Sequence, residues 1–285
     1  MSLIESEETN KFNFEPFAAH AFYTEVNRSL VRQALAPLAN RPADATLTIV
    51  DMACGTGAVT RLIAQEMARQ GRSVHLVGID PSADALRRAQ KGIEDIKVHA
   101  SFIQGEIADL PRLVHDVDVA FFCNAIHLLP DKLSAFRLMA AVLVLGGIFA
   151  CNSTFFDGAY VQGTERFYRM WTRRAVGWLR KEHPEVRLSR EEKAIAMQWL
   201  NPDEYTSLLK QSGFDHAETA QETVSFSLGA FRDVGKYWLF IQGALPGVPL
   251  ALGAKALETS VYEVGQELGI TEVPRNWLQI VAFKM

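Results

Sequence analysis

The chain has 285 residues, 48% of them hydrophobic and 22% charged, with 29 basic side chains against 33 acidic ones and a net charge of −4. That apolar fraction supplies a core and excludes a disordered chain. The acidic balance speaks against a protein built to coat nucleic acid. Three cysteines, Cys54, Cys123 and Cys151, form no C-x-x-C pair and no even framework, which reads as a reduced, cytoplasmic chain with small buried thiols.

Residues 1–45 read as an N-terminal helical arm, whose acidic start lacks the apolar run of an export signal. From Leu47 short β-rich runs alternate with helical patterns, the signature of parallel strands joined by crossover helices. Strands are predicted over Leu47–Ala53, Val74–Asp80, Val98–Gln104, Val117–Asn124 and Gly147–Thr154, with helices near 57–70, 82–92 and 131–145. Runs such as Val119–Cys123 and Ile148–Cys151 are apolar throughout, as in strands covered on both faces. After Thr154 the alternation stops. Thr164–Lys181 is helical in pattern, and Ser189 with Glu192 makes a capping box for another helix. Asn201-Pro202-Asp203-Glu204 starts one more. Residues 215–228 and 277–284 are predicted as closing strands, with an apolar helical pair over 229–268 between them. Tyr237–Ala254 carries no charge and is long enough to span a bilayer, but Gly243, Pro246, Gly247, Pro249 and Gly253 break it into two helices with a turn. Residues 138–151 are too short to span.

The most informative segment is Ile49-Val50-Asp51-Met52-Ala53-Cys54-Gly55-Thr56-Gly57, an apolar strand entering a glycine turn before a helix. Glycine lets backbone approach a ligand and adopt positive φ, and the helix start offers free N–H groups. Asp80 then ends the next strand, where a carboxylate can accept both hydroxyls of a ribose. Two ligands compete for such a turn. A dinucleotide usually needs G-x-G-x-x-G around its pyrophosphate, yet the third glycine here is Thr60, and Asp51 repels phosphate. A sulfonium donor has no phosphate and is favoured by an acidic turn.

Asp51-x-Ala53-x-Gly55-x-Gly57 and Asp80 resemble the class I S-adenosylmethionine-dependent methyltransferases, over roughly residues 14–154 and 201–226. The resemblance implies a doubly wound, Rossmann-like α/β fold, with a mostly parallel seven-stranded sheet and helical insertions forming a cap. Its parts would be an arm or lid over 1–45, a core over 46–155, a helical insertion over 156–200, a core continuation over 201–228, an apolar helical insertion over 229–270 and a closing strand over 271–285. It implies S-adenosylmethionine held by Asp51, Ala53, Cys54, Gly55, Gly57, Asp80 and Pro81. Ala53 stands where the family normally has glycine. Gln104–Pro111 resembles the family's G-D-x-x-x-L-P segment, with Glu106 facing the adenine amino group and Ile107 its ring. Asn124 and Ala125 would line the methionine region, and Tyr23 would be the lid contact.

Methyl transfer needs alignment and exclusion of water, and a base only if the acceptor must lose a proton. His127, just past a strand end, is the first candidate, His20 on the arm the second and Glu15 a third. No metal-ligand spacing is present. The acceptor would be a small, largely apolar metabolite methylated on O, N or C, enclosed by Phe155, Phe156, Tyr160, Trp171, Trp178 and Trp238. Nine Lys/Arg against five Glu between Thr164 and Ala194 leave an anionic group on the acceptor open. Neither nucleic acid nor a spanning segment is expected, and a homodimer is compatible with the sequence. The alternatives are an NAD(P)-dependent oxidoreductase and a non-catalytic S-adenosylmethionine-binding module.

Overall fold

The computed structural model describes residues 11–42, 44–189 and 199–285. Its centre is a seven-stranded sheet: β1 (Leu47–Met52), β2 (Val74–Asp80), β3 (His99–Gln104), β4 (Val117–Cys123), β5 (Leu143–Ser153), β6 (Phe214–Ser227) and β7 (Glu272–Lys284). The order is β3-β2-β1-β4-β5-β7-β6. β1 to β5 run parallel, and β7 inserts antiparallel between β5 and β6. The expected doubly wound, mostly parallel sheet is therefore the fold. Its order reverses between β1 and β4, so the crevice beyond their carboxyl ends is where such sheets take ligands.

The helices start where the sequence caps them. α1 (Ala21–Leu35) follows the arm, and α2 (Ala58–Gln70) begins at Gly57 and stops at Gly71, both left-handed. α3 (Ala83–Lys91) is capped by the Ser82 hydroxyl and α4 (Lys132–Val142) by the Asp131 carboxylate. Beyond β5 lie α5 (Glu165–Glu182), then α6 (Pro202–Gln211) with the Asn201/Glu204 box, then α7 (Leu228–Val234), α8 (Trp238–Ala244) and α9 (Leu250–Leu268). The expected Ser189/Glu192 box falls partly outside the described residues.

Two strands begin earlier than expected. β5 starts at Leu143, because the apolar run from Leu138 fits a buried strand as well as a helix and periodicity alone cannot divide it. β7 starts at Glu272, through Pro274 and Arg275. Over that stretch its only strand partner is β6, since pairing with β5 begins at Leu278, and the other side carries just an isolated bridge from Arg275 to Tyr160; proline is tolerated where one side of a strand is largely open.

Three apolar clusters result. α4 and α6 cover one sheet face through Phe136, Met139, Tyr205 and Leu209. α1 and α2 cover the other through Leu30, Val31, Ile63 and Met67. The third is the cap, where Trp171, Phe231, Leu257 and Val261 meet Trp277 of β7 and Phe17 of the arm. The two segments expected as separate additions thus share one core: α5 packs along α9, and the Trp171 indole donates to the Leu257 carbonyl at 2.8 Å. Among the described residues, no helix is long and apolar enough to cross a membrane.

Candidate active site

Two cavities of about 220 Å³ each meet at the carboxyl ends of the strands and share Tyr237 and Leu239 as a common wall. The first is floored by three strand ends: Ala53, Cys54 and Gly55 after β1, Asp80, Pro81 and Ser82 after β2, and Cys123, Asn124 and Ala125 after β4. Asp80 stitches the first two together, accepting from the Gly55 N–H at 2.8 Å and the Ser82 N–H at 2.9 Å. Burial raises its pKa while these two bonds lower it. Asp51 lies one layer beneath, where burial lifts its carboxyl to about 7 against the opposing hydrogen bond from Thr60, 2.6 Å away. The Thr60 hydroxyl thus stands where a dinucleotide fingerprint has its third glycine, and it holds the turn's acid in place.

The cleft is electrically negative in make-up. Glu15, Asp80 and Asp84 line it against one guanidinium, Arg88, which is itself paired with Glu15 at 2.7 Å and Asp84 at 3.0 Å. A pyrophosphate would meet three carboxylates and no free cation among the described residues. The floor also carries a polar network: the Asn124 side-chain amide donates to the Tyr23 hydroxyl at 3.0 Å, and the Asn152 side-chain amide donates to Asn27 Oδ1 at 2.9 Å. Asn124 is held in the left-handed region, at φ 56°, by its N–H bond to the Asn152 side chain. Its own amide oxygen is buried without a hydrogen-bond partner among the described residues. An unmatched buried acceptor in a negatively lined cleft fits an ammonium or sulfonium. The arm closes this side: the Trp238 N–H donates to the Phe12 carbonyl at 2.8 Å, and Phe14 packs edge-on against Tyr237.

The second cavity is walled by aromatic rings from β5's exit, the cap and β6, among them Phe155, Tyr160, Tyr168, Trp171, Phe226 and Phe240, with Trp199 ahead of α6. His127 faces it from beyond β4, with Nδ1 3.1 Å from the Ser153 hydroxyl. Burial, then the positive charges of Lys132 and Arg275, hold His127 down at about 3. It is neutral at physiological pH and resists taking up a proton, which suits orientation better than base catalysis. Arg275, on the stretch of β7 that sequence reasoning missed, is buried in this wall.

Several expected site residues sit elsewhere. Cys54, Gly55, Ala53, Tyr23, Asp80, Pro81, Asn124 and Ala125 line the first cavity; Gly57 and Asp51 lie behind it. Glu106 caps the turn over Ile107–Asp109, and neither it nor Ile107 lines the cleft. His20 lines neither cavity, being bonded to Asp233 at 2.9 Å. Phe155, Tyr160 and Trp171 line the second cavity, but Phe156 does not, because successive side chains leaving a strand point to opposite sides and its ring enters the sheet core. Trp178 lies about 10 Å further along α5 than Trp171, beyond the cavity and against His183. Trp238 lines the first cavity, not the second. The basic residues of α5 face outward, with Arg174 paired to Glu263 and Glu267 of α9. Tyr168, Trp199 and Arg275 gave no local sequence signal, whereas Phe240, expected to close the pocket from the apolar insertion, lines it. The cysteines are free, and burial pushes all three thiols up, so they are inert fillers. Among the described residues no group of three or more His, Cys, Asp or Glu can hold a metal. A larger open groove of about 1020 Å³ lies at the opposite, amino ends of β1 to β3, away from the switch point.

Similarity to known proteins lies mainly in the core of the chain. A family model described as a methyltransferase domain matches residues 49–147. Over 130 residues the chain is 34% identical to trans-aconitate 2-methyltransferase of Afipia carboxidovorans, covering 45% of this chain and 46% of that protein. Over 107 residues it is 27% identical to demethylmenaquinone methyltransferase of Listeria welshimeri, covering 37% and 44%. The chain thus spans less than half the length of these curated relatives. A solved structure of loganic acid methyltransferase with SAH superimposes with a TM-score of 0.58 at 11% identity, covering 98% of this chain and 96% of that one, a likeness of fold.

Proposed function

We propose that this chain, which belongs through its core to the class I S-adenosylmethionine-dependent methyltransferases, transfers a methyl group to a small metabolite with a largely apolar body. The observation that carries this reading is the pair of cavities meeting at one wall: a negatively lined one on the switch point and an aromatic one beside it.

S-adenosylmethionine would supply an electrophilic methyl on a positively charged sulfur. Asp80 would accept the ribose hydroxyls, the turn at Ala53–Gly55 would lie along the methionine part, and the Asn124 amide oxygen would accept from a cationic group. Tyr237 and Leu239 separate donor from acceptor and keep water from the junction. His127, neutral and fixed by Ser153, orients the acceptor. The low affinity of its ring for a proton places the burden on alignment. The oxidoreductase alternative is disfavoured by Thr60, Asp51 and the carboxylates of the cleft, all hostile to a pyrophosphate.

The deciding experiment is calorimetry with S-adenosylhomocysteine and with NADH and NADPH, followed by an acceptor screen read by S-adenosylhomocysteine release. Binding of the sulfur ligand with turnover of an acceptor is expected. Binding of a nicotinamide cofactor in its place would overturn the reading, and binding with no turnover over a broad panel would leave the non-catalytic module.

A further inference from the structure

The aromatic cavity holds a charge that its apolar walls do not explain. Arg275 is only 4% exposed, and no carboxylate among the described residues pairs with it. Of the five N–H groups of a guanidinium, Nε–H is shared between the Thr154 carbonyl and hydroxyl at 2.9 Å, and one Nη2–H reaches the Thr154 carbonyl at 2.6 Å. The Nη1 pair and the second Nη2–H have the Tyr168 hydroxyl oxygen as their one described partner in reach, which leaves most of these donors unmatched. Together these form the end-on fork that matches a carboxylate. Four rings, Phe155, Tyr160, Tyr168 and Trp199, lie 5.1 to 5.7 Å from the guanidinium carbon. Rings stabilise a cation through its face and leave the in-plane N–H groups unsatisfied. Beside it the Tyr168 hydroxyl is buried and finds no acceptor for its proton among the described residues.

A buried cation with unused donors next to a buried hydroxyl with no acceptor is costly unless a ligand completes it. We infer that Arg275 and Tyr168 form a carboxylate-binding site at the base of the acceptor cavity, so that the acceptor is a small organic acid with a planar apolar body. This rests on the methyl-transfer reading for the word acceptor, though the anion site stands on its own geometry. One guanidinium in an otherwise apolar wall balances a monoanion and leaves a phosphate dianion half unpaired. Thr154 and the four rings fix the guanidinium before the ligand arrives, which favours a rigid, bidentate contact. The outward arginines of α5 take no part.

The test pairs acids with their uncharged amides: benzoate with benzamide, phenylacetate with phenylacetamide, cinnamate with cinnamamide. Each is titrated into the full chain, with and without S-adenosylhomocysteine, by calorimetry. At least one acid should bind about tenfold or more tighter than its amide, the scale of a charge-assisted fork. Arg275→Met should erase that preference, Arg275→Lys should keep part of it, and Tyr168→Phe should weaken the acid several-fold while leaving the amide unchanged. Equal binding of acid and amide across all three pairs overturns the site, as does a preference that survives Arg275→Met. If Arg275→Met melts early because Thr154 loses its donor, Tyr168→Phe decides, and unchanged acid affinity there overturns the site. S-adenosylhomocysteine separates the two readings. Its binding without acid preference removes the carboxylate site alone. Acid preference without its binding removes the methyl-transfer reading alone.

Discussion

The two cavities are equal in size and differ in how the chain builds them. The proposed cofactor cleft is made of short consecutive stretches at strand ends, residues 53–55, 80–82 and 123–125, and its decisive atoms are backbone N–H groups and the carboxylates they fix. The proposed acceptor cavity is made of single side chains gathered from residue 127 to residue 275, on elements whose packing brings them together. A site built on turn backbone has few substitutes for each residue. One built on aromatic side chains can trade ring for ring, so acceptor choice can change while the donor site stays fixed.

That contrast is breakable. The largest effect is expected at Gly57, where φ is 85° and a Cβ would sit 2.8 Å from the Ala89 backbone of α3. Gly57→Ala should cost about 2–4 kcal/mol in urea unfolding, because neither the turn nor α3 can move aside cheaply. Next is Asp80→Ala, which strips the Gly55 and Ser82 N–H groups of their shared acceptor and removes the proposed ribose contact. Affinity for S-adenosylhomocysteine should fall about 10- to 100-fold. Phe240→Ala in the other cavity should leave that affinity within about twofold while raising the acceptor KM. Comparable losses in both variants would show that the cavities are not independent.

Acidity sharpens the same comparison, because Asp51 behind the first cavity and His127 facing the second have large shifts in the acid range and their slopes oppose. Asp51, raised from 3.8 to about 7, binds a proton more tightly folded than unfolded, so its contribution is lost as pH rises through that window. His127, lowered from 6.5 to about 3, binds its proton less tightly folded, so stability falls as pH drops below 6.5. Each slope is at most about 1.4 kcal/mol per pH unit, and between pH 4 and 6.5 they largely cancel. Urea midpoints across that range should stay flat in the native chain. They should rise on acidification in His127→Gln and rise on alkalinisation in Asp51→Asn. Flat curves in both variants would sink this account. The smallest effect is expected at Ala53, which sits at φ 55° where a side chain is strained. Ala53→Gly should stabilise by about 0.5–1 kcal/mol, read as a higher melting temperature, with S-adenosylhomocysteine affinity retained.

The cofactor side of the molecule was legible because its signals are local: a strand running into glycines, an acid ending the next strand, caps such as Asn201 with Glu204. Even there the packing intervened. Glu106 and Ile107 match the family pattern yet turn to cap and core, and Thr60, which reads as a failed fingerprint position, proves to be the hydroxyl that holds Asp51. On the acceptor side, helical spacing proposed Trp171 and Trp178 together, but the cavity ends before the second. Phe155 and Phe156 look interchangeable in sequence, and one step along a strand exit separates wall from core.

The chain's periodicity and turn chemistry alone determined a parallel α/β sheet, its switch point and the strand ends that meet there, because hydrophobic spacing and caps act over a few residues. Which side chains close the acceptor cavity, and that a buried arginine faces into it, was decided by the third core, where α5, α7, α8, α9 and β7 pack. Contacts between residues more than a hundred positions apart, such as Thr154 with Arg275, leave no periodic trace in the sequence. They arise only when burial of apolar surface draws the elements together.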